Sequence, residues 1–68
     1  MHLKIRIYDI RWNDKKYKND WFEIFGEYES ANQIDIETIL ELHEEDCNED
    51  EDRDDLVITH YELKIENE

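Results

Sequence analysis

The hydrophobic positions of this chain follow two periods, and the order in which these appear predicts the fold. Residues 3–12 alternate between apolar and polar side chains, which indicates a half-buried strand. The apolar side of this segment consists of Leu3, Ile5 and Ile7. Ile10 and Trp12 fall out of phase with it, which predicts a bulge near Asp9. Residues 13–16 then have the composition of a turn.

Residues 20–29 fit two periods. The strand period is carried by Phe22, Ile24, Gly26 and Tyr28. The helical period is carried by Trp21, Ile24, Phe25 and Tyr28. Aromatic enrichment and a central glycine both favour the strand. We therefore predict a hairpin of two strands and keep a helix over 20–29 as the alternative.

Residues 35–45 have the clearest helical pattern. Asp35 is a good N-cap, and Ile34 and Ile39 are spaced as a hydrophobic staple. The apolar stripe consists of Ile36, Ile39, Leu40 and His43, and Leu42 widens it. This stripe predicts that one face of the helix packs against the sheet.

The rest of the chain completes a small α+β domain. Residues 46–55 are almost entirely charged and predict a solvated acidic loop, and residues 56–66 return to period two. We predict one domain over 1–68, with about three antiparallel strands in the order β-β-α-β and one helix on one face. The last strand then lies beside the first, where cross-strand pairs form between opposite charges. The pairs expected there are Lys4 and Arg6 with Glu62 and Glu66.

The charges are distributed very unevenly. Residues 1–18 hold six basic and two acidic residues, whereas residues 19–68 hold two basic and nineteen acidic ones. The formal net charge of −13 exceeds in magnitude the roughly 2–8 that suffices to keep a small domain soluble. Such a surface attracts basic partners and disfavours direct binding to nucleic acid or to anionic membranes.

Few residues have the spacing of a catalytic or metal site. Five side chains alternate as in an EF-hand loop: Asp46, Asn48, Asp50, Asp52 and Asp54. Glu51 stands where that loop needs glycine, and Val57 stands where a bidentate glutamate should close it. A solvated loop is therefore the simpler interpretation, although weak binding of divalent cations stays open. We predict no functional metal or cofactor.

The histidines and the single cysteine do not form a recognisable motif either. His2, His43 and His60 lie in three different predicted elements, and His43 is expected at the rim of the helix–sheet interface. Carboxylates surround Cys47 in the sequence and disfavour its thiolate. A lone cysteine also cannot form an internal disulfide, which fits a reducing cytosol. We predict a protein that is not an enzyme.

The spacing of the acids on the helix suggests what they do. Glu37, Glu41 and Glu45 repeat about every 6 Å along one face, close to two base-pair rises of a DNA strand. We therefore predict a partner-binding surface that imitates nucleic acid. Its acidic members are Glu37, Glu41, Glu44, Glu45, Asp46, Glu49, Asp50, Glu51, Asp52, Asp54 and Asp55.

In its size, its charge over residues 19–68 and its lack of motifs, the chain resembles the small acidic inhibitors that phages encode. These include DNA-mimic anti-CRISPR and anti-restriction proteins and inhibitors of uracil-DNA glycosylase. The resemblance implies an inhibitor in the host cytosol that blocks a basic nucleic-acid-binding protein. The alternatives are an acidic immunity protein or antitoxin that neutralises a basic nuclease, and an accessory phage protein whose charge is incidental.

An aromatic face adds a second candidate surface. On the strand interpretation, Trp21 and Phe25 point away from Phe22 and the helix, on an open side of the sheet shared with Tyr8 and Trp12. Exposed tryptophan and other aromatic residues are frequent interface anchors. We predict that Trp21 and Phe25 make a second partner contact or a homodimer. The alternative is that these rings belong to the core.

Overall fold

The computed structural model describes residues 2–28 and 33–67, which form three strands and one helix. The elements are β1 (His2–Trp12), β2 (Phe22–Glu27), α1 (Ile36–Asp50) and β3 (Ile58–Asn67). The strands form one antiparallel sheet in the order β2-β1-β3. This confirms the predicted α+β fold, its β-β-α-β order and the placement of the last strand beside the first. The second segment is the predicted strand rather than a helix.

Strand β1 is the centre of the sheet because both of its edges are paired. Its apolar side chains Leu3, Ile5 and Ile7 are buried as the alternation predicted. Ile5 lies opposite Ile24 of β2 and Ile65 of β3, so apolar side chains line up across all three strands on this face. Burial of this row of apolar side chains stabilises the sheet.

A bulge in β1 reverses the orientation of its last residues. Asp9 has a φ of 50°, and the β1–β3 register shifts between Tyr8 and Arg11. The extra residue moves Ile10 and Trp12 onto the core side, where both are buried. The predicted bulge is therefore confirmed, but the prediction that Trp12 lies on the open face is wrong. The inserted residue changes the phase of the strand, so simple alternation misplaces every residue after it.

Helix α1 begins as its sequence predicts. The Asp35 carboxylate accepts hydrogen bonds from the Thr38 amide at 3.2 Å and from the Thr38 hydroxyl at 2.8 Å. These bonds hold the pKa of Asp35 below its usual value. Ile36, Ile39 and the buried Leu40 pack on the core, whereas Leu42, expected to widen this stripe, is exposed.

The helix ends at Asp50 rather than near residue 45, so the prediction of a loop over 46–55 is wrong for its first half. Cys47 lies one turn after His43 and is buried, which continues the packed stripe. The Asn48 side chain donates to the Leu56 carbonyl at 3.1 Å and accepts from the Leu56 amide at 2.9 Å. Packing and this pair of bonds outweigh the repulsion among neighbouring carboxylates that favoured a loop.

Replacing Asn48 with alanine is expected to lower the free energy of unfolding by about 1–3 kcal/mol, since it leaves two main-chain groups of the buried Leu56 without partners. Urea denaturation followed by circular dichroism measures this. Glu49→Ala at the next, exposed position is the control and should shift stability by less than about 0.5 kcal/mol. Equal losses in the two variants would mean that the Asn48–Leu56 bonds do not hold the helix end.

Candidate acidic interface

Helix α1 carries seven of the 21 acidic residues of the chain. Four glutamates, Glu37, Glu41, Glu45 and Glu49, are exposed and follow one another at every fourth position. At about 1.5 Å rise per residue, neighbours in this series are about 6 Å apart along the axis. We call these four residues the glutamate ladder. The longer helix adds Glu49 to the three positions that the sequence pattern had placed on one face.

Other acids of the helix flank this ladder. Asp46 and Asp50 are exposed, and Glu44 is half-buried. The chain after the helix adds Glu51, Asp52, Asp54 and Asp55, all exposed. Residues 36–55 thus carry eleven carboxylates against Arg53 alone, a formal −10 of the total −13. We call this set of eleven carboxylates the acidic surface.

Arg53 fastens the turn after the helix to the rest of the fold. It makes a bidentate contact with Asp55, through Nε at 2.8 Å and Nη2 at 3.0 Å, and its Nη1 lies 2.8 Å from Asp14. The guanidinium holds the pKa of both carboxyls below their usual value. Because the pKa values of Asp14 and Asp55 are lower in the folded protein than in the unfolded chain, these ion pairs stabilise the fold at any pH above the usual pKa of 3.8. This stabilisation is lost as the pH falls through the lowered pKa values.

The basic residues of β1 are neutralised within the sheet. Lys4 lies 3.5 Å from Glu66 and 3.8 Å from Glu23, and Arg6 donates to Glu23 at 2.7 Å. The expected approach of Lys4 to Glu66 is confirmed. Arg6 does not lie opposite Glu62 as expected, because the register places it opposite Lys64, and it pairs with β2 instead. Neutralisation here leaves the negative field concentrated on the acidic surface.

The open face of the sheet carries the two most exposed aromatic side chains of the described residues. Trp21 is 60% exposed and Phe25 71% exposed, and the Arg6 guanidinium lies 5.8 Å from the Trp21 ring centroid. An open groove of about 500 Å³ lies beside Trp21, lined by Arg6, Tyr8, Asp9, Asp20, Trp21 and Lys64. The aromatic residues therefore lie on the opposite side of the sheet from α1. The structure gathers the predicted acids into one surface but keeps Trp21 and Phe25 apart from it.

His43 lies at the helix–sheet interface, as predicted. Its ring stacks on Phe22 at 3.8 Å between centroids, and Nε2 lies 2.8 Å from Asn19 Oδ1. Burial lowers the pKa of His43. Burial raises the pKa of the Cys47 thiol. Burial, together with the neighbouring Cys47, raises the pKa of Tyr17 to about 12. These side chains are therefore neutral at pH 7, and Cys47 stays a thiol rather than a nucleophilic thiolate.

One group of side chains in the described ranges 2–28 and 33–67 has the donor atoms for a cation. The ligand atoms of Asp9, His60 and Glu62 lie within 4.8 Å of one another, and all three residues are exposed. Sequence spacing did not reveal this group, because the bulge of β1 brings Asp9 next to a strand some fifty positions later. Asp9 Oδ2 already lies 3.4 Å from the Arg11 guanidinium and 3.3 Å from His60 Nε2, so the carboxylate has an ion-pair partner in Arg11 and a close contact with the His60 ring. The EF-hand pattern gains no support, because its positions from Asp46 to Asp50 are helical.

Neutralising the helix end with Asp50→Asn, Glu51→Gln and Asp52→Asn is expected to raise the thermal midpoint by about 2–6 °C at low salt. Carboxylates there face the negative end of the helix dipole, and no basic residue lies in the last turn. Asp52 also has a φ of 54°, which asparagine tolerates well.

Glu37→Gln is the control for this triple variant, since Glu37 lies in the first turn, where a negative charge is favourable. Its thermal midpoint should fall slightly, and the shifts of both variants should shrink at high salt. A lower midpoint for the triple variant would show that these carboxylates make stabilising contacts inside the protein.

Comparison with known proteins identifies no relative of this chain. No family model matches the chain, and no curated protein or solved structure matches it significantly. Among the described residues, no helix has the length and apolar character needed to cross a membrane.

Proposed function

We propose that this protein is a non-enzymatic inhibitor that binds a basic nucleic-acid-binding protein through its acidic surface. The bound inhibitor takes the place of DNA or RNA, and its target class is a CRISPR effector, a restriction enzyme or a DNA-repair enzyme. The observation that carries the proposal is the separation of charge. The net charge is −10 within residues 36–55, whereas the basic side chains Lys4 and Arg6 are engaged by acids across the sheet.

The dimensions of the acidic surface suit this role. A helix of 15 residues is about 22 Å long, which is the length of roughly six base pairs of duplex at 3.4 Å each. The glutamate ladder repeats about every 6 Å along it. Proteins that bind duplex nucleic acid contact its phosphates with lysine and arginine side chains. A ladder of carboxylates can therefore meet the same cations.

The display is rigid, which favours affinity. The N-cap at Asp35, the buried Leu40 and Cys47, and the Asn48–Leu56 bonds hold α1 on the sheet. A preorganised surface loses less conformational entropy on binding than a disordered acidic tail. The fold thus serves as a scaffold that holds like charges close together.

The acids also oppose stability where they lie. Glu49, Asp50 and Glu51 lie at the C-terminal end of α1, where negative charge is unfavourable. A local arrangement that breaks a stability rule without a compensating contact is typical of a functional site. This supports a binding role for the acidic surface over charge that is incidental.

The open sheet face is proposed as a second contact. Trp21 and Phe25 are exposed there, Trp21 lines a groove, and aromatic side chains commonly anchor interfaces. In this arrangement the carboxylates steer the encounter and select a basic partner, while the aromatic rings supply apolar contact. A partner that uses both surfaces must reach around one edge of the sheet.

The test begins with capture of a partner from nuclease-treated lysate of a bacterial host on the immobilised protein, followed by its identification and purification. The purified partner is then loaded with a fluorescent DNA duplex, and the inhibitor is titrated in. We expect displacement of the duplex. The control is a ladder variant, in which Glu37, Glu41, Glu45 and Glu49 are each replaced by glutamine. A partner that holds the duplex and this protein at the same time would overturn the proposal.

A further inference from the structure

Strand β3 is an edge of the sheet, and nothing within residues 2–28 and 33–67 pairs with its outer side. Edge strands are usually protected by proline, by bulges or by charges that block pairing. The chain has no proline, and the β1–β3 register runs without a shift from Tyr8–Glu62 to Leu3–Asn67. The outer edge from Glu62 onward therefore lacks proline and bulges, and its charged residues Glu62, Lys64 and Glu66 alternate in sign.

Apolar side chains of β3 are left partly uncovered beside this edge. Tyr61 is 39% exposed and Leu63 37% exposed. Leu63 lies opposite the buried Ile7, so it belongs to the face that α1 covers. However, His43 of α1 stacks on Phe22 of β2, the strand at the other edge of the sheet. The helix thus leaves the β3 side of this face open. Another strand placed along β3 would cover it.

The sequence of β3 is complementary to itself. We propose that β3 of one copy pairs with β3 of a second copy, antiparallel, about a twofold axis at Leu63. Glu62 of each copy then lies opposite Lys64 of the other, and His60 lies opposite Glu66. On the helix-covered face Tyr61 lies opposite Ile65, and Leu63 opposite its own copy. Opposite charges and apolar pairs that face each other directly stabilise antiparallel strands.

Neighbouring registers lack this complementarity. An axis at Glu62 or at Lys64 places two like charges directly opposite each other, which is destabilising. An axis between Glu62 and Leu63, or between Leu63 and Lys64, places a charged residue opposite Leu63, so that the two faces of the sheet no longer match. Among these neighbouring axes, only the one at Leu63 pairs opposite charges and keeps the two faces of the sheet matched.

The dimer has a consequence for the acidic surface. A twofold axis perpendicular to the sheet keeps both helices on the same face, so a six-stranded sheet carries two acidic surfaces side by side. This consequence rests on the proposed function, but the pairing itself rests only on β3. Two chains of −13 repel each other, so association should be weak and should strengthen as salt screens the charge. Binding to a basic partner should instead weaken as the salt concentration rises.

Sedimentation velocity on the purified protein tests the pairing. Over about 10–500 μM, the sedimentation coefficient should rise with concentration by mass action. The rise should be larger at about 0.5 M than at about 0.1 M sodium chloride, because salt screens the repulsion. A protein that stays monomeric over this whole range would overturn the proposal.

Charge variants test the register. Lys64→Glu and Glu62→Lys each place like charges opposite each other in the homodimer, and each should weaken self-association at least about tenfold. Mixing the two variants should restore association, because each lysine then meets a glutamate. The variant with both changes should self-associate like the wild type, because each lysine again meets a glutamate. It tests the register even if one of the single variants folds poorly.

Lys15→Glu makes the same charge change as Lys64→Glu at an exposed position in the turn after β1, and it should leave self-association unchanged. Self-association of Lys64→Glu at wild-type strength, or failure of the mixture to associate, would overturn the pairing. A dimer that fails to displace the duplex from a partner would instead overturn the proposed function alone.

Discussion

Replacing Trp12 with alanine is expected to unfold a large fraction of the protein at room temperature. Trp12 is only 5% exposed, its ring meets the edge of Tyr17 at 5.0 Å between centroids, and its Nε1 donates to the Asn19 carbonyl at 3.0 Å. Truncating a core aromatic residue to alanine costs about 3–5 kcal/mol. A single core in a domain this small rarely supplies more than about 3–5 kcal/mol of net stability. Circular dichroism in urea measures the loss.

Trp21→Ala is the matched control, since it removes the same side chain from an exposed position. Trp21 is 60% exposed and rests near Arg6, so its loss should change the free energy of unfolding by less than about 0.5 kcal/mol. If Trp21 anchors a partner, the same change should weaken binding by about 2 kcal/mol. A large fall in stability for Trp21→Ala would show that this ring holds the core and would rule out the open face as a contact.

The second large effect is expected from the ladder variant. Removing the four glutamates of the ladder should slow association with a basic partner about tenfold or more, because the steering field weakens and the charge pairs are lost. The fold should be retained, since these side chains are exposed and point away from the core. Stopped-flow or surface-based kinetics with the captured partner measure the rate.

Glu29→Lys combined with Glu68→Lys is the control for the ladder variant. It raises the net charge by the same four units at two acids that belong neither to residues 36–55 nor to the open-face residues named above. If position matters, this control should bind faster than the ladder variant. Equal rates for the two would mean that total charge alone governs binding and that α1 has no special part in it.

Much of the fold is predictable because local signals agree with the final packing. The alternation of Leu3, Ile5 and Ile7 places them in the core, and Asp35 caps the helix that it was expected to cap. The ambiguous segment 20–29 is a strand over Phe22–Glu27, as its aromatic composition favoured. In each of these cases the decisive contact involves residues close together in sequence or on one face of one element.

The differences arise where a distant contact overrides a local pattern. The bulge at Asp9 turns Trp12 into the core, and the hydrogen bonds between Asn48 and Leu56 extend the helix through an acidic segment. The Asp9, His60 and Glu62 group depends on the same bulge and on the pairing of β1 with β3. Composition reveals the amount of negative charge, but only the ion pairs of Lys4 and Arg6 show which part of the surface keeps it.

The dependence of the association rate on salt tests the central claim most directly. The rate constant for binding to the captured partner is measured from about 0.05 to about 0.5 M sodium chloride, because this range shortens the screening length from beyond 10 Å to a few ångströms. Imitation of nucleic acid predicts a steep fall for the wild type and a shallower fall for the ladder variant. A wild-type rate that does not change with salt would contradict it.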